Sequence, residues 1–104
     1  MNLVIRQFND NEVNLKDFIN HQPRLFEVVL HNDDFTPMKF VIEMLENFFG
    51  LDSNKAKKIT LKAHTKGRAV CGRYSKEIAE SRISQAIDYA RKREYPLKWT
   101  MEGP

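Results

Sequence analysis

A chain of 104 residues with 41% hydrophobic content is long enough for one domain with a single modest core. No run of about 18 apolar residues occurs, which excludes a membrane-spanning helix. The formal net charge of +3 conceals an asymmetry: residues 1–52 hold nine acids against four bases, and residues 53–104 hold five acids against thirteen bases.

A basic half attracts polyanions in principle. Here the cations have a simpler reading. Lys55, Lys57, Lys58 and Lys62 fall on the polar side of a helical pattern. Arg91, Lys92 and Arg93 fall in the last turn of another, where cations complement the helix dipole. No aromatic residues interleave with them to stack bases, so nucleic-acid binding is not expected. The N-terminus lacks the basic-then-apolar order of a signal peptide. Cys71 is the only cysteine, so no intrachain disulfide can form, and a reducing cytoplasm fits. His21, His31 and His64 do not fall at a metal-ligand spacing, so neither a metal nor another cofactor is expected.

Taken in chain order, residues 1–24 mix Asn, Asp and Gln with isolated apolar residues. Leu3-Val4-Ile5 and Asp17-Phe18-Ile19 are too short to stand alone, and Pro23 closes the segment, so it reads as a flexible arm before a core of residues 25–104. Phe26 to Leu30 is a short buried strand. Thr36 suits a helix N-cap and Pro37 the first helical position, with an apolar stripe at 38, 41, 44, 45 and 48 and a stop at Gly50. Asp52 or Ser53 caps a second helix that runs through about Thr65 and ends at Gly67. Arg68 to Tyr74 is a strand of small and apolar residues. Ser75 caps a third helix with Ile78, Ile83, Ile87 and Ala90 on one face. Pro96 ends that region, and Leu97 to Met101 forms the last strand. The order strand, helix, helix, strand, helix, strand predicts an α+β fold: a three-stranded antiparallel sheet packed with three helices.

The densest chemistry lies between the first strand and the first helix. His31, Asn32, Asp33 and Asp34 follow one another on a tight loop. A cap needs one side-chain oxygen, not four polar groups, and the surplus suits a small cationic ligand. Asn32 and Asp33 offer oxygen acceptors, and a neutral His64 near the end of the second helix offers an acceptor nitrogen. Taken alone, an Asx-turn with helix capping is the favoured account of Asn32 and Asp33.

Asn32-Asp33-Asp34-Phe35-Thr36-Pro37-Met38, then Phe40-Val41, resembles the signature of the ClpS adaptors. These deliver proteins with particular N-terminal residues to the ClpA unfoldase of the ClpAP protease. The resemblance continues, in order and with compatible spacing, in His64, in Lys66-Gly67-Arg68-Ala69-Val70-Cys71-Gly72 and in Tyr95-Pro96-Leu97. It implies that Asn32, Asp33 and His64 grip the α-amino group of a substrate, with Asp34 bracing the loop. It also implies that Thr36, Met38, Val41, Thr60, Ala63 and Leu97 help line a slot for a large hydrophobic first side chain (Leu, Phe, Tyr or Trp). Glu77 and Arg82 would meet the N-terminal domain of ClpA. The resemblance thus implies a monomeric adaptor that is not an enzyme, with N-degron substrate proteins and ClpA as its partners. Thr60 stands where members often carry Met, and Ala63 where they often carry Val, which implies a wider slot with one slightly polar wall.

The runner-up is a factor-recruiting module like the C-terminal domain of the ribosomal stalk protein, which shares the element order and does not require Asn32, Asp33 and His64 together. A small hydrolase using Asp33, Asp34 and His64 is discounted, because no serine or thiol nucleophile is placed with them.

Overall fold

The computed structural model describes residues 24–104, so the arm expected over residues 1–24 lies, apart from Arg24, outside the described residues. The elements are β1 (Phe26–His31), α1 (Met38–Phe49), α2 (Ser53–Lys66), β2 (Arg68–Tyr74), α3 (Lys76–Lys92) and β3 (Lys98–Glu102). The number, kind and order of elements are those expected, and the sheet is antiparallel throughout, with β1 between β2 and β3.

Strand alternation gives the sheet two unlike faces. Val28 and Leu30 of β1, Ala69 and Cys71 of β2 and Trp99 of β3 join one buried cluster with Val41, Met44, Leu45 and Phe49 of α1 and Ala56, Ile59 and Ala63 of α2. Glu27, Val29 and His31 alternate to the other face, where Arg73 is paired with Glu27 and an Arg68–Glu102 ion pair joins β2 to β3 across the middle strand. The register slips between Val28 and Val29, leaving Cys71 as an extra residue in β2. Burial pushes the Cys71 thiol up to about 12, so it is a small core residue and not a nucleophile. The buried Trp99 indole N–H has no oxygen acceptor among the described residues and faces the Cys71 sulfur instead.

The helix ends follow local chemistry. The Asp52 carboxylate accepts from Lys55 N–H at 2.8 Å, and Ser75 Oγ accepts from Ile78 N–H at 3.5 Å. Gly50 (φ 64°) and Gly67 (φ 88°) end α1 and α2 in the left-handed region that an L side chain resists.

Three expectations are corrected. Thr36 does not cap α1: Pro37 occupies the N-cap position, and the Thr36 hydroxyl donates to the Asp33 carboxylate. Ile78 does not share the buried face of α3 but is 47% exposed; the inward stripe is Ala79, Ala86 and Ala90 with Ile83 and Ile87 beside it. Ile78 and Ile83 are five residues apart, about 140° around the helix, so they cannot share a narrow face. Leu97 precedes β3 and does not begin it.

Small residues on α3 let it lie close to the sheet, and aromatic contacts join it to α1. The Phe40 ring lies 4.5 Å from Tyr95 and 6.0 Å from Tyr89, and Phe48 meets Tyr89 edge-on at 5.1 Å. Beyond α3 the chain turns at Glu94, the one described non-glycine residue with a positive φ (63°), and Tyr95 N–H returns to the Ala90 carbonyl at 3.0 Å. This turn delivers Tyr95-Pro96-Leu97 beside the NDD loop.

Candidate functional site

The loop between β1 and α1 is tied down by its own side chains. Asp33 Oδ1 accepts from Phe35 N–H at 3.1 Å, its Oδ2 accepts from the Thr36 hydroxyl, and Asp33 O accepts from Thr36 N–H at 3.4 Å. Asn32 Nδ2 donates to Asp34 Oδ1 at 3.0 Å, so Asp34 braces Asn32 and leaves the Asn32 side-chain carbonyl free to accept. Asn32 N–H donates to the Gly67 carbonyl at 2.9 Å. That bond fastens the loop to the end of α2, three residues beyond His64.

These ties close a slot lined by Leu30, His31, Asn32, Asp33, Thr36, Met38, Val41, Thr60, Ala63, His64 and Leu97. All nine residues singled out around Asn32, Asp33 and His64 in the sequence meet there, from two helices, one loop and the segment before β3. Leu30 and His31 line it as well; His31 was one of the four polar groups noted in the sequence, and the only signal for Leu30 was its position at the end of the strand before the loop. Thr36, Val41, Thr60, Ala63 and Leu97 are buried, whereas Asn32 and His64 are exposed and Met38 is 41% exposed. The slot is therefore polar at its mouth and mostly apolar behind it. Thr60 changes its wall less than expected, because its hydroxyl donates back to the Ala56 carbonyl at 2.8 Å. The free space is about 20 Å³, room for roughly one water.

The slot is not the largest concavity. A groove of about 520 Å³ runs between α3 and β3 past Ile83, Ile87, Trp99 and Met101, but it is an open trough, with Glu80, Asp88 and Arg91 along its sides. At the slot, the imidazole of His31 is bonded to Thr100 Oγ1 at 2.7 Å, and its pKa lies below the ordinary value because of burial and the charges of Lys98 and Arg68, with Glu102 opposing. His31, Arg68 and Lys98 share one rung of the sheet. Among the described residues, no three His, Cys, Asp or Glu side chains cluster to hold a metal ion. No described helix is long and apolar enough to cross a membrane.

Glu77 and Arg82 lie apart from the slot, on α3. They border a surface cavity with Ile78, Ser81 and Gln85. Arg82 is not a freely solvated side chain: its Nη1 donates to the Phe48 carbonyl at 2.8 Å, and its guanidinium lies over the Tyr74 ring at 5.5 Å.

The sequence model of the family described as "ATP-dependent Clp protease adaptor protein ClpS" matches residues 21–100. The chain belongs to the ClpS family. It is 55% identical over 80 residues to the ATP-dependent Clp protease adapter protein ClpS of Vibrio atlanticus, covering 77% of this chain and 76% of that one. It is 49% identical over 80 residues, with the same coverage, to the ClpS of Vibrio cholerae. Among solved structures, Agrobacterium tumefaciens ClpS2 bound to L-phenylalaninamide superposes with a TM-score of 0.76 at 32% identity, covering 80% of this chain and all of that one. The family match over most of the chain, and not the element order that the ribosomal stalk domain shares, sets the ribosomal-stalk alternative aside.

Proposed function

We propose that this chain holds the first residue of a substrate protein, its side chain in the slot and its α-amino group at Asn32, Asp33 and His64. The observation that carries this reading is the convergence of three acceptor-bearing residues at the mouth of one apolar slot. An α-ammonium has three donors and no acceptor, so it matches an amide carbonyl, a carboxylate and an imidazole nitrogen. The ClpS2 relative was solved with L-phenylalaninamide, which carries a free α-amino group next to a large apolar side chain. Large hydrophobic first residues (Leu, Phe, Tyr and Trp) suit the apolar walls.

The magnitudes suffice for modest affinity. Burying a Leu or Phe side chain contributes about 1.5–3 kcal/mol, and each hydrogen bond to a charged group about 1.5–3 kcal/mol. A micromolar complex needs about 8 kcal/mol. The slot must widen to admit a side chain, and Met38 is the wall suited to move: exposed at the rim, unbranched and rotatable.

The captured protein is then delivered to the ClpA unfoldase of ClpAP, whose N-terminal domain meets the face of α3 that carries Glu77 and Ile78, with Arg82 shaping that face from behind. In this reading the chain is a cytoplasmic monomer and catalyses nothing itself. The test is calorimetric titration with a Leu-first peptide and its N-acetylated twin. The free amine binds in the micromolar range and the acetylated peptide does not; equal binding of both would remove the amine grip and this reading with it.

A further inference from the structure

The polar face of α2 is built against helix physics. From Ser53 to Lys66 the helix holds five lysines and no acid. Lys55, Lys57 and Lys58 lie in its first half, where the dipole favours carboxylates and opposes cations. Asp52 at the N-cap is the only acid beside them in sequence. None of the five lysines has a carboxylate partner among the described residues. By contrast, α3 interleaves both signs, with Lys76, Glu77, Glu80, Arg82, Asp88, Arg91 and Lys92 along its length. A solvated surface does not require an unpaired cationic face.

This helix also forms one wall of the slot, through Thr60, Ala63 and His64. Lys57 is two turns before His64, about 20° around the helix from it and about 10.5 Å along the axis. An extended chain advances about 3.3 Å per residue, so three residues leaving the slot along α2 reach Lys57. Lys55 and Lys62 are on the far side, about 140° or more from Thr60. Leu61, 54% exposed, lies between Lys57 and His64 and offers that chain an apolar contact. At the sheet end of the slot Lys98 stands beside His31 and adds a positive charge, while Arg68 on the other side of His31 is paired with Glu102.

From this placement, and resting on the reading that the slot holds an N-terminal residue, we propose that α2 selects substrates with acidic residues at positions two to four. The α-amino group neutralises Asp33 as it binds; Asp34 stays as the carboxylate beside it, braced against the Asn32 amide, and Lys57 and Lys98 oppose it. Nucleic acid is the weaker partner for this face, because no aromatic side chain stands among the lysines to stack a base.

Three Leu-first peptides that differ only in Glu, Gln or Lys at positions two to four test this by fluorescence anisotropy, with the full chain at low and at high salt. The Glu peptide binds about tenfold tighter than the Lys peptide at low salt, from a few exposed pairs acting together, and salt narrows the gap. Lys57→Glu removes most of the preference, whereas Lys55→Glu, with the same charge change on the far side, keeps it. If all three peptides bind equally, the inference is overturned and the slot reading stands. If none binds, both fall. Equal binding of an N-acetylated Glu peptide, or displacement of the Glu peptide by a single-stranded oligonucleotide at similar concentration, also overturns it by showing a general polyanion surface.

Discussion

The Thr36 hydroxyl donates to the Asp33 carboxylate, so the group proposed to grip an amine is already aimed by a residue of its own loop. The same carboxylate accepts from Phe35 N–H, which leaves it lone pairs but little freedom to rotate. A carboxylate held in place loses less entropy when a ligand arrives.

Two variants separate the charge from its orientation. Asp33→Ala is expected to weaken Leu-first peptide binding by about 10- to 100-fold, the range of one hydrogen bond to a charged group. Thr36→Val keeps the charge but releases the carboxylate and is expected to cost a smaller factor, recovered in Thr36→Ser. Calorimetry on the three proteins checks this, and unchanged affinity in Thr36→Val would show that the hydroxyl has no orienting role.

Glu77 and Arg82 are expected to behave differently when changed singly. Arg82→Ala loses the Phe48 carbonyl and Tyr74 contacts, at a cost of about 1–3 kcal/mol in urea unfolding. Glu77→Ala touches no such contact and is expected to leave stability and peptide affinity intact while slowing ClpAP degradation of a Leu-first substrate. A normal degradation rate would place the unfoldase contact elsewhere.

Slot size is open to test from inside. Thr60 and Ala63 are both 3% exposed, and the free space between the walls is about 20 Å³. The double variant Thr60→Met, Ala63→Val adds apolar volume to that helix face, where extra methylenes have little room. It is expected to raise the preference for Leu over Phe, Tyr and Trp relative to the parent, read by competition among four peptides differing only in residue one. An unchanged ratio would mean that these positions do not shape the guest's space.

The depressed His31 pKa predicts an acid-sensitive fold. Burial and the Lys98 and Arg68 charges disfavour the imidazolium in the folded state, so the unfolded chain binds the proton more readily. Stability is then highest above the ordinary histidine value of about 6.5 and declines as pH falls from there toward the lower folded value. His31→Gln retains a partner for Thr100 and is expected to flatten this slope between pH 7.5 and 5. Parallel slopes in thermal melts of the two proteins would exclude His31 as the source.

Much of the fold was readable before any coordinates. Gly50, Asp52, Gly67 and Ser75 mark helix ends by chemistry that acts within a few residues, and each is where the local rules put it. The misreadings were of another kind. Thr36 was read as a cap because capping is the local default for a threonine before a proline, and a side chain three residues upstream took its hydroxyl. Ile78 was read as core because it is apolar, and the alanine stripe beside it went unrecognised because small residues carry little periodic signal. Nothing near Arg82 in sequence shows that the Phe48 carbonyl waits at the end of another helix.

Element order and the antiparallel sheet follow from hydrophobic period and capping residues, short-range properties of the chain, and the composition of the slot was implied by the resemblance to the ClpS adaptors. The distance between the slot walls and the rung that sets Arg68 and Lys98 on either side of His31 do not follow from such short-range properties. They depend on how far α1 and α2 stand apart over the sheet, which is decided by side-chain packing among Val41, Met44, Ala56 and Ile59 and by the Asn32–Gly67 bond between two loops. Packing of this kind joins residues distant in sequence, and at close-packed density a single methylene changes the space left between them.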